Sequence, residues 1–418
     1  MAKRRTSELD QWFGRRAPRL GIVTSGSLSR GLDVKLDTAT DIEGLAVGRY
    51  VVVHGRRRRF FCMVTDIGLD NTNQQITRTP PDTSNPFLAD VYTGTMAYGT
   101  LHIAPMLIID EDGQVEPVRT IPPHFQEVWT ATEQDINDVF GGEDETHFNI
   151  GAPLELPDTQ VNINLQRLTE RSVGVFGKSG TGKSYLTRII LAGVIARDSA
   201  VNLIFDMHND YGWEVISETR QRDQGLKQLF PDRVAIFTLD DESARRRKVR
   251  PDFVVTLAYS DVDPEDLAAL QQTMNISDTM LDAAYTLRRL WGENWIQGLL
   301  SAEPHIIEAL LDETNINGPA LSALIRRLQR FQRFGFLTAQ KMGDSVQQII
   351  SYLDQGISVV LEFGRYGNAI EAYVLVANYL TRRIRERYVH RIEEALGDPT
   401  KEPRQLMITI EEAHKFLD

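Results

Sequence analysis

Between Gly177 and Ser184 the chain reads G-K-S-G-T-G-K-S, an instance of G-x-x-x-x-G-K-S. These residue types at this spacing suit one task, the cradling of a run of phosphates. Gly177, Gly180 and Gly182 let the backbone turn tightly and aim its N–H groups inward. Lys178, Ser179 and Thr181 complete the loop, and a helix starting near Lys183 would add the positive end of its dipole. Lys183 supplies a point charge to β- and γ-phosphates, and the Ser184 hydroxyl suits Mg2+. An apolar run, S-V-G-V-F, precedes the loop and a helical run follows it, which is the context the spacing requires. The chemistry implied is the binding of a nucleoside triphosphate.

A second constellation lies in L-M-I-T-I-E-E, near the C-terminus. A strand ending in Glu411 and Glu412 would deliver two carboxylates to the carboxyl end of a parallel sheet, where ligands of such sheets bind. Glu411 fits the acid that holds the water shell of Mg2+, and Glu412 fits the base that orients an attacking water. An exposed helix start is the other reading of two adjacent glutamates. The apolar strand before them, in a chain with a phosphate loop, favours the catalytic one. A third cluster is N-L-I-F-D-M-H-N-D-Y-G-W-E. Asp206, His208 and Asp210 are either metal ligands at alternating positions or a strand end turning into a loop. At that strand edge Asp206 also suits a role in placing water or Mg2+.

The elements that must carry these groups differ between the two parts of the chain. From about residue 21 to 122, short β-branched and aromatic runs alternate with Gly, Asp and Asn, the texture of a small antiparallel barrel. The runs are G-I-V-T-S-G-S-L, G-L-D-V-K-L-D, G-R-Y-V-V-V-H-G, R-F-F-C-M-V-T-D-I-G, L-A-D-V-Y-T-G-T-M-A and M-L-I-I-D-E-D-G. N-Q-Q-I-T-R-T-P-P-D-T-S-N-P-F reads as a long loop, and A-T-E-Q-D-I-N-D-V-F-G-G as a short helix. From about residue 150, apolar strands alternate with helices: S-V-G-V-F-G, V-N-L-I-F-D, V-A-I-F-T-L, F-V-V-T-L-A-Y, I-S-V-V-L-E-F and L-M-I-T-I-E-E. Continuous apolar runs are expected of parallel strands buried on both faces, so this part reads as an α/β layered domain.

Several strands separate the phosphate loop from the acidic strand, an order that suits a RecA-like arrangement. No N-K-x-D motif of the GTPase kind is evident. A helical insertion is expected over about 261–350. In it Asp263 would cap a helix that begins with Pro264, and Leu321, Leu324, Ile325, Leu328 and Phe331 would share one face of another. The expected organisation is an N-terminal tail over 1–20, a barrel and linker over 21–148, and an α/β domain over 149–418.

The totals set limits. A chain of 418 residues with one cysteine, Cys62, forms no intrachain disulfide, and no run approaches the ~20 apolar residues of a membrane span. The expected place is the cytoplasm. The net charge of −12 argues against a surface coated in nucleic acid. Arginine nevertheless comes in bursts, at 56–59, 245–250 and 382–391, so the distribution of charge matters more than its sum.

Taken together, these motifs make the chain resemble the HerA-type DNA translocases of the HerA/FtsK superfamily over nearly its whole length. G-L-A-V-G-R-Y-V-V-V-H-G resembles part of their HAS barrel. R-S-V-G-V-F-G-K-S-G-T-G-K-S, I-F-D-M-H-N-D-Y-G-W-E, I-S-V-V-L-E-F-G-R and I-T-I-E-E-A-H-K-F-L follow in the family's order. D-M-H-N-D-Y-G departs from a pattern that commonly has proline after the aspartate and glycine after the histidine. The resemblance implies a RecA-like P-loop NTPase domain behind an all-β HAS-type barrel. It implies a homohexameric ring that uses ATP and Mg2+ and threads DNA, usually duplex, beside a nuclease or other effector in end resection or anti-phage defence.

The resemblance also gives Arg171 a role at a neighbouring subunit's nucleotide, beside the plainer reading of an exposed arginine at a strand start. In relatives the chain continues past the acidic strand, so a form ending at residue 418 would lack strands and keep nucleotide binding more readily than turnover. Two other classes of function fit the same motifs: a nucleotide-gated scaffold that organises a defence effector, and an ATPase that remodels proteins.

Overall fold

In the computed structural model, which describes residues 17–416 apart from 74–83, 85–90, 93–95, 111, 143, 154, 155, 158, 217–221, 399 and 400, the β-branched runs of the first part close on themselves. The strands are β1 (Arg19–Ser27), β2 (Gly31–Leu36), β3 (Tyr50–His54), β4 (Arg59–Asn71), β5 (Ala97–Ile109), β6 (Val115–Pro117) and β7 (Glu127–Thr130). Antiparallel pairs run β1–β2, β2–β5, β5–β4, β4–β3, β3–β7 and β7–β1, a closed six-stranded barrel, with β6 added against β5. Closure pairs the six barrel strands with one another without an external partner.

The two-residue period decides what fills the barrel. Phe60, Cys62 and Val64 of β4, Val51 and Val53 of β3, and Leu101 and Ile103 of β5 form its buried interior. The alternate residues Val52, Phe61 and Ile109 pack outside it with Ile136 of α1 (Glu133–Phe140). Helix α1 starts at a capping box in which Thr132 and Asp135 satisfy each other's backbone N–H. Arg59, the last of the first arginine burst, is spent on this helix. Its guanidinium reaches Asp135 and, at 2.8 Å, Asp138. A hairpin of β8 (His147–Gly151) and β9 (Val161–Asn164) ends this unit, and a second compact unit begins at Leu165.

One expected barrel strand is corrected. Of L-A-D-V-Y-T-G-T-M-A, Val91 and Tyr92 are helical and Met96 lies in a turn. M-L-I-I-D-E-D-G is not a separate strand but the end of the long β5. The proline-rich loop before them falls outside the described residues except for Asn73 and Ser84.

The second unit is built on five parallel strands: β10 (Val201–Asp206), β11 (Val234–Thr238), β12 (Phe253–Val254), β13 (Ser358–Glu362) and β14 (Leu406–Ile410). Their order is β12-β11-β13-β10-β14. Every residue of β10, β11 and β13 is buried, as their largely apolar sequences require of strands covered on both faces. Only Phe253 and Val254 of F-V-V-T-L-A-Y join this sheet, while Leu257 and Ala258 pair with Leu337 and Thr338.

The expected strand S-V-G-V-F does not form. Residues 172–178 have no strand or helix, and Val173 and Phe176 are 60% and 93% exposed. A strand gains its stability from ladder partners, and among the described residues none pairs with this segment. The phosphate loop is therefore anchored at its far end, on α2 (Lys183–Ala196).

The insertion is helical as expected, with α4 (Asp278–Trp291) and α5 (Gly318–Leu328) among its elements, following α3 (Asp241–Arg246). Leu321, Leu324, Leu328 and Phe331 are buried on one face, with Ile325 partly buried beside them. Trp295 is fully buried and its indole N–H donates to the Val262 carbonyl at 3.0 Å. Two further helices, α6 (Ser345–Asp354) and α7 (Ile370–Ala395), flank β13 in sequence.

Arginines of the third burst brace these helices. Arg383 meets Asp263, Arg382 lies 3.6 Å from Asp266, Arg387 lies 3.2 Å from Asp344, and Arg391 meets Asp354. Asp263 does stand at the start of the Pro264 helix, but its carboxylate faces Arg288 and Arg383. No described helix is long and apolar enough to cross a membrane.

Candidate functional site

Strand register brings three carboxylates to one edge of the sheet. Asp206, the last residue of β10, is opposite Glu362, the last of β13. Phe205 is opposite Ile410 of β14, so Glu411 follows at the level of Asp206. Each carboxylate is satisfied differently. Glu362 is fully buried and gripped by Arg247, with contacts of 3.2 Å and 2.5 Å to its two oxygens. Asp206, also fully buried, accepts from the N–H groups of Asp210 at 2.8 Å, Tyr211 at 3.0 Å and Gly212 at 3.4 Å. Glu411 accepts from the N–H groups of Met207 at 3.1 Å and His208 at 3.2 Å.

Backbone donors favour the ionised carboxylates, but burial outweighs them. Desolvation, then the charge of Glu411, pushes Asp206 up to about 8. Desolvation, then the charge of Asp210, pushes Glu411 up to about 7. The loop between these acids, M-H-N-D-Y-G at 207–212, bends through Asn209 at φ 61°. Arg188 of α2 donates to the Asp210 carbonyl, and the Tyr211 ring lies in one apolar cluster with Leu191 of α2. The second strand's loop is thus joined to the phosphate-loop helix on one side and to the acidic strand on the other.

Of the two readings of Asp206, His208 and Asp210, the geometry matches a strand end turning into a loop. Asp206 spends its oxygens on that turn, and among the described residues no three His, Cys, Asp or Glu side chains are grouped to hold a metal ion.

The phosphate loop is organised around one carbonyl. Thr181 Oγ1 donates to the Lys178 oxygen at 2.7 Å, and Lys183 Nζ donates to it at 2.9 Å. Gly180 and Gly182 have φ of 77° and 88°, a region costly for residues with a Cβ. Gly182 is the N-cap of α2. Above both glycines there is open space, since an added Cβ would meet nothing within 4 Å. The N–H groups of Lys183, Ser184 and Tyr185 have no protein acceptor among the described residues. Donors without acceptors, a nearby ammonium, a serine hydroxyl and an acid on an adjoining element together fit a nucleoside triphosphate with Mg2+.

Glu412 and Arg171 are placed differently. Glu412 has φ 49°, a left-handed conformation rare for a residue with a long side chain. The turn is held by Tyr373, whose hydroxyl donates to the Glu411 carbonyl at 2.7 Å, and by the Lys415 N–H on the Glu412 carbonyl at 2.9 Å. The Glu412 carboxylate lies 3.2 Å from His414 Nδ1 and is partly exposed. Arg171 is exposed and is not brought to the acids or the phosphate loop by any contact among the described residues.

Sequence reasoning missed Glu362, Arg247 and Tyr211 as members of this site. Glu362 had the same signal as Asp206, an acid closing an apolar run of three residues. Arg247 sits in a burst that reads as surface charge, and nothing local marks which of its arginines turns inward.

The Helicase HerA central-domain family matches residues 148–384, more than half of the chain. A probable helicase of Methanocaldococcus jannaschii is 26% identical over 103 residues, which is 25% of this chain and 19% of that protein. The chain thus matches less than a fifth of that relative's length.

Two outcomes follow from the acid row. Arg247→Ala leaves Glu362 buried without its partner and should cost about 3–5 kcal/mol of stability in denaturant unfolding, part of it regained on adding Glu362→Gln. The raised pKa of Glu411 gives a pH-dependent term. Its contribution to stability is complete below the ordinary value of 4.5 and is lost as pH rises to about 7. Glu411→Gln, which stays neutral, should therefore gain on the wild type across that window in melting temperatures recorded at successive pH values.

Proposed function

The chain belongs to the HerA family of P-loop ATPases, and on that premise we propose that it is an ATP-hydrolysing DNA translocase subunit. It would act in a homohexameric ring beside a nuclease or other effector, in DNA end processing or anti-phage defence. The observation that carries the reading is the joining of the phosphate-loop helix and Glu411 to one six-residue loop at the carboxyl end of a parallel sheet.

In this reading the first-turn N–H groups of α2 and the Lys183 ammonium bind the phosphates and fix their direction. Ser184 and Glu411 are the residues that would hold Mg2+. When bound, that ion neutralises charge on the β- and γ-phosphate oxygens. Glu412, on the turn just beyond Glu411, orients a water and takes its proton. Asp206 contributes by fixing the 207–212 loop through its three backbone N–H groups. Arg171, exposed ahead of the phosphate loop, would serve the nucleotide of a neighbouring subunit. A ring of this kind needs a heterologous interface whose rotation closes on itself.

The charge distribution supports a phosphate-directed contact with DNA. Arg247 and several arginines of the 382–391 burst are engaged within the chain. Among the described residues, Arg245 and Arg246 make ion pairs only at i,i+4 along α3, and their side chains are 79% and 75% exposed. Such pairs are weak and easily exchanged for phosphate. Arg56, Arg57 and Arg58, in the turn between β3 and β4, are also exposed.

Lys183→Ala should abolish or severely weaken binding of a fluorescent ATP analogue, and unchanged affinity would remove the phosphate-loop assignment. Glu412→Gln should bind ATP with Mg2+ yet turn over perhaps 10²–10⁴-fold more slowly in any form of the protein that hydrolyses ATP. Effector activity that survives this substitution would favour the scaffold.

For DNA, affinity measured over a salt series should give a shallower log–log slope after Arg245→Ala and Arg246→Ala, with Arg247 kept for the fold. The same comparison on Arg56, Arg57 and Arg58 tests the barrel turn. DNA binding that is absent or independent of salt in an intact oligomer would overturn the translocase reading.

A further inference from the structure

Tyr373, in the first turn of α7, is fully buried, and the roles assigned so far leave its hydroxyl without a chemical task. Its ring meets Phe363, just after β13, edge to face at 4.9 Å between centroids. On the other flank Phe416, beyond the acidic turn, lies at 5.0 Å. Helix α7 is itself pinned to the insertion, where Asn378 donates to Asp266 at 3.2 Å and Arg383 meets Asp263. The single polar atom of the side chain is thereby fixed 2.7 Å from the Glu411 carbonyl oxygen. A carbonyl oxygen only accepts, so the phenol is the donor.

Glu411 is consequently held at two ends. The N–H groups of Met207 and His208 both donate to its Oε2, and Tyr373 holds its backbone carbonyl. Among the described residues no hydrogen bond is made to Oε1, which is left for a ligand. The peptide held by Tyr373 also gives Glu412 its φ of 49°. The opposite orientation of that peptide would return Glu412 to the commoner negative φ and redirect the Cα–Cβ bond of Glu411. We propose that Tyr373 is a positioning residue: by holding the Glu411–Glu412 peptide in this turn, it keeps Glu411 Oε1 presented to the cation. The inference rests on the reading of Glu411 as a Mg2+-holding residue. With the turn fixed on folding, the cost of orienting the carboxylate is met before the ion arrives.

Tyr373→Phe removes the hydroxyl and keeps the ring. Trp295→Phe is its control, since it forfeits a comparable buried bond, to the Val262 carbonyl in the insertion. Both should lower the melting temperature, because each leaves a carbonyl without its donor. Below the lower of the two melts, the binding of a fluorescent ATP analogue to the full chain should be followed as Mg2+ is titrated, and again in EDTA. For Tyr373→Phe we expect unaltered affinity in EDTA and a Mg2+ half-saturation raised about fivefold, the scale of one net hydrogen bond. Trp295→Phe should keep the normal Mg2+ requirement. In a Glu411→Gln background, Tyr373→Phe should add no further shift.

A normal Mg2+ requirement in Tyr373→Phe, or an equal shift in the Glu411→Gln background, would overturn the tyrosine's role alone. The same rise in Trp295→Phe, or a loss of affinity in EDTA as large as that with Mg2+, would assign Tyr373 to general packing and overturn the inference. A normal Mg2+ requirement in Glu411→Gln itself would overturn the cation reading of that carboxylate and this inference with it.

Discussion

Three carboxylates meet at the end of one sheet, and the arrangement of the second unit follows from keeping them there. Asp206, Glu362 and Glu411 end or follow neighbouring parallel strands, which lie about 4.8 Å apart in any sheet. Like charges at such spacing in a buried setting repel strongly, and each group must also be compensated for lost water. A single cation answers for Glu362, and backbone N–H groups answer for the other two. The second solution has a structural consequence, because the loop after β10 must curl back over its own strand end to supply those donors. That curl places Tyr211 in an apolar cluster with Leu191 of the phosphate-loop helix and ties α2, β10 and β14 into one assembly.

The parts of the site legible in the sequence were those whose signal is local. The phosphate loop announces itself by glycine spacing, and Glu411 and Asp206 by following apolar runs. The barrel, too, was readable, because alternation such as Phe60, Cys62 and Val64 reports which face is inward. What failed depended on partners distant in the chain. S-V-G-V-F has the composition of a strand, but a strand exists only where another pairs with it. Arg247 is indistinguishable from Arg245 and Arg246 until Glu362 comes within reach across the fold.

Charge is distributed by the same logic. An acidic chain with many arginines might be read as a surface of opposed patches. Instead, many of the arginines close gaps between helices of the second unit, as Arg382 and Arg383 do on the acids that open the insertion. The same arginines limit which positive groups face outward. Net charge and the number of arginine bursts therefore say less about recognition than the pairing of individual guanidinium groups.

Strand β14 lies at the border of its sheet, with β10 on one side and no described strand on the other. Its sequence, L-M-I-T-I, has neither charge nor proline, and Ile410 is 40% exposed. A row of unsatisfied backbone groups on such a segment is a template for another strand. Arg404 before this strand and Glu412 after it place charge on its two flanks, where copies pairing in register would bring like charges together.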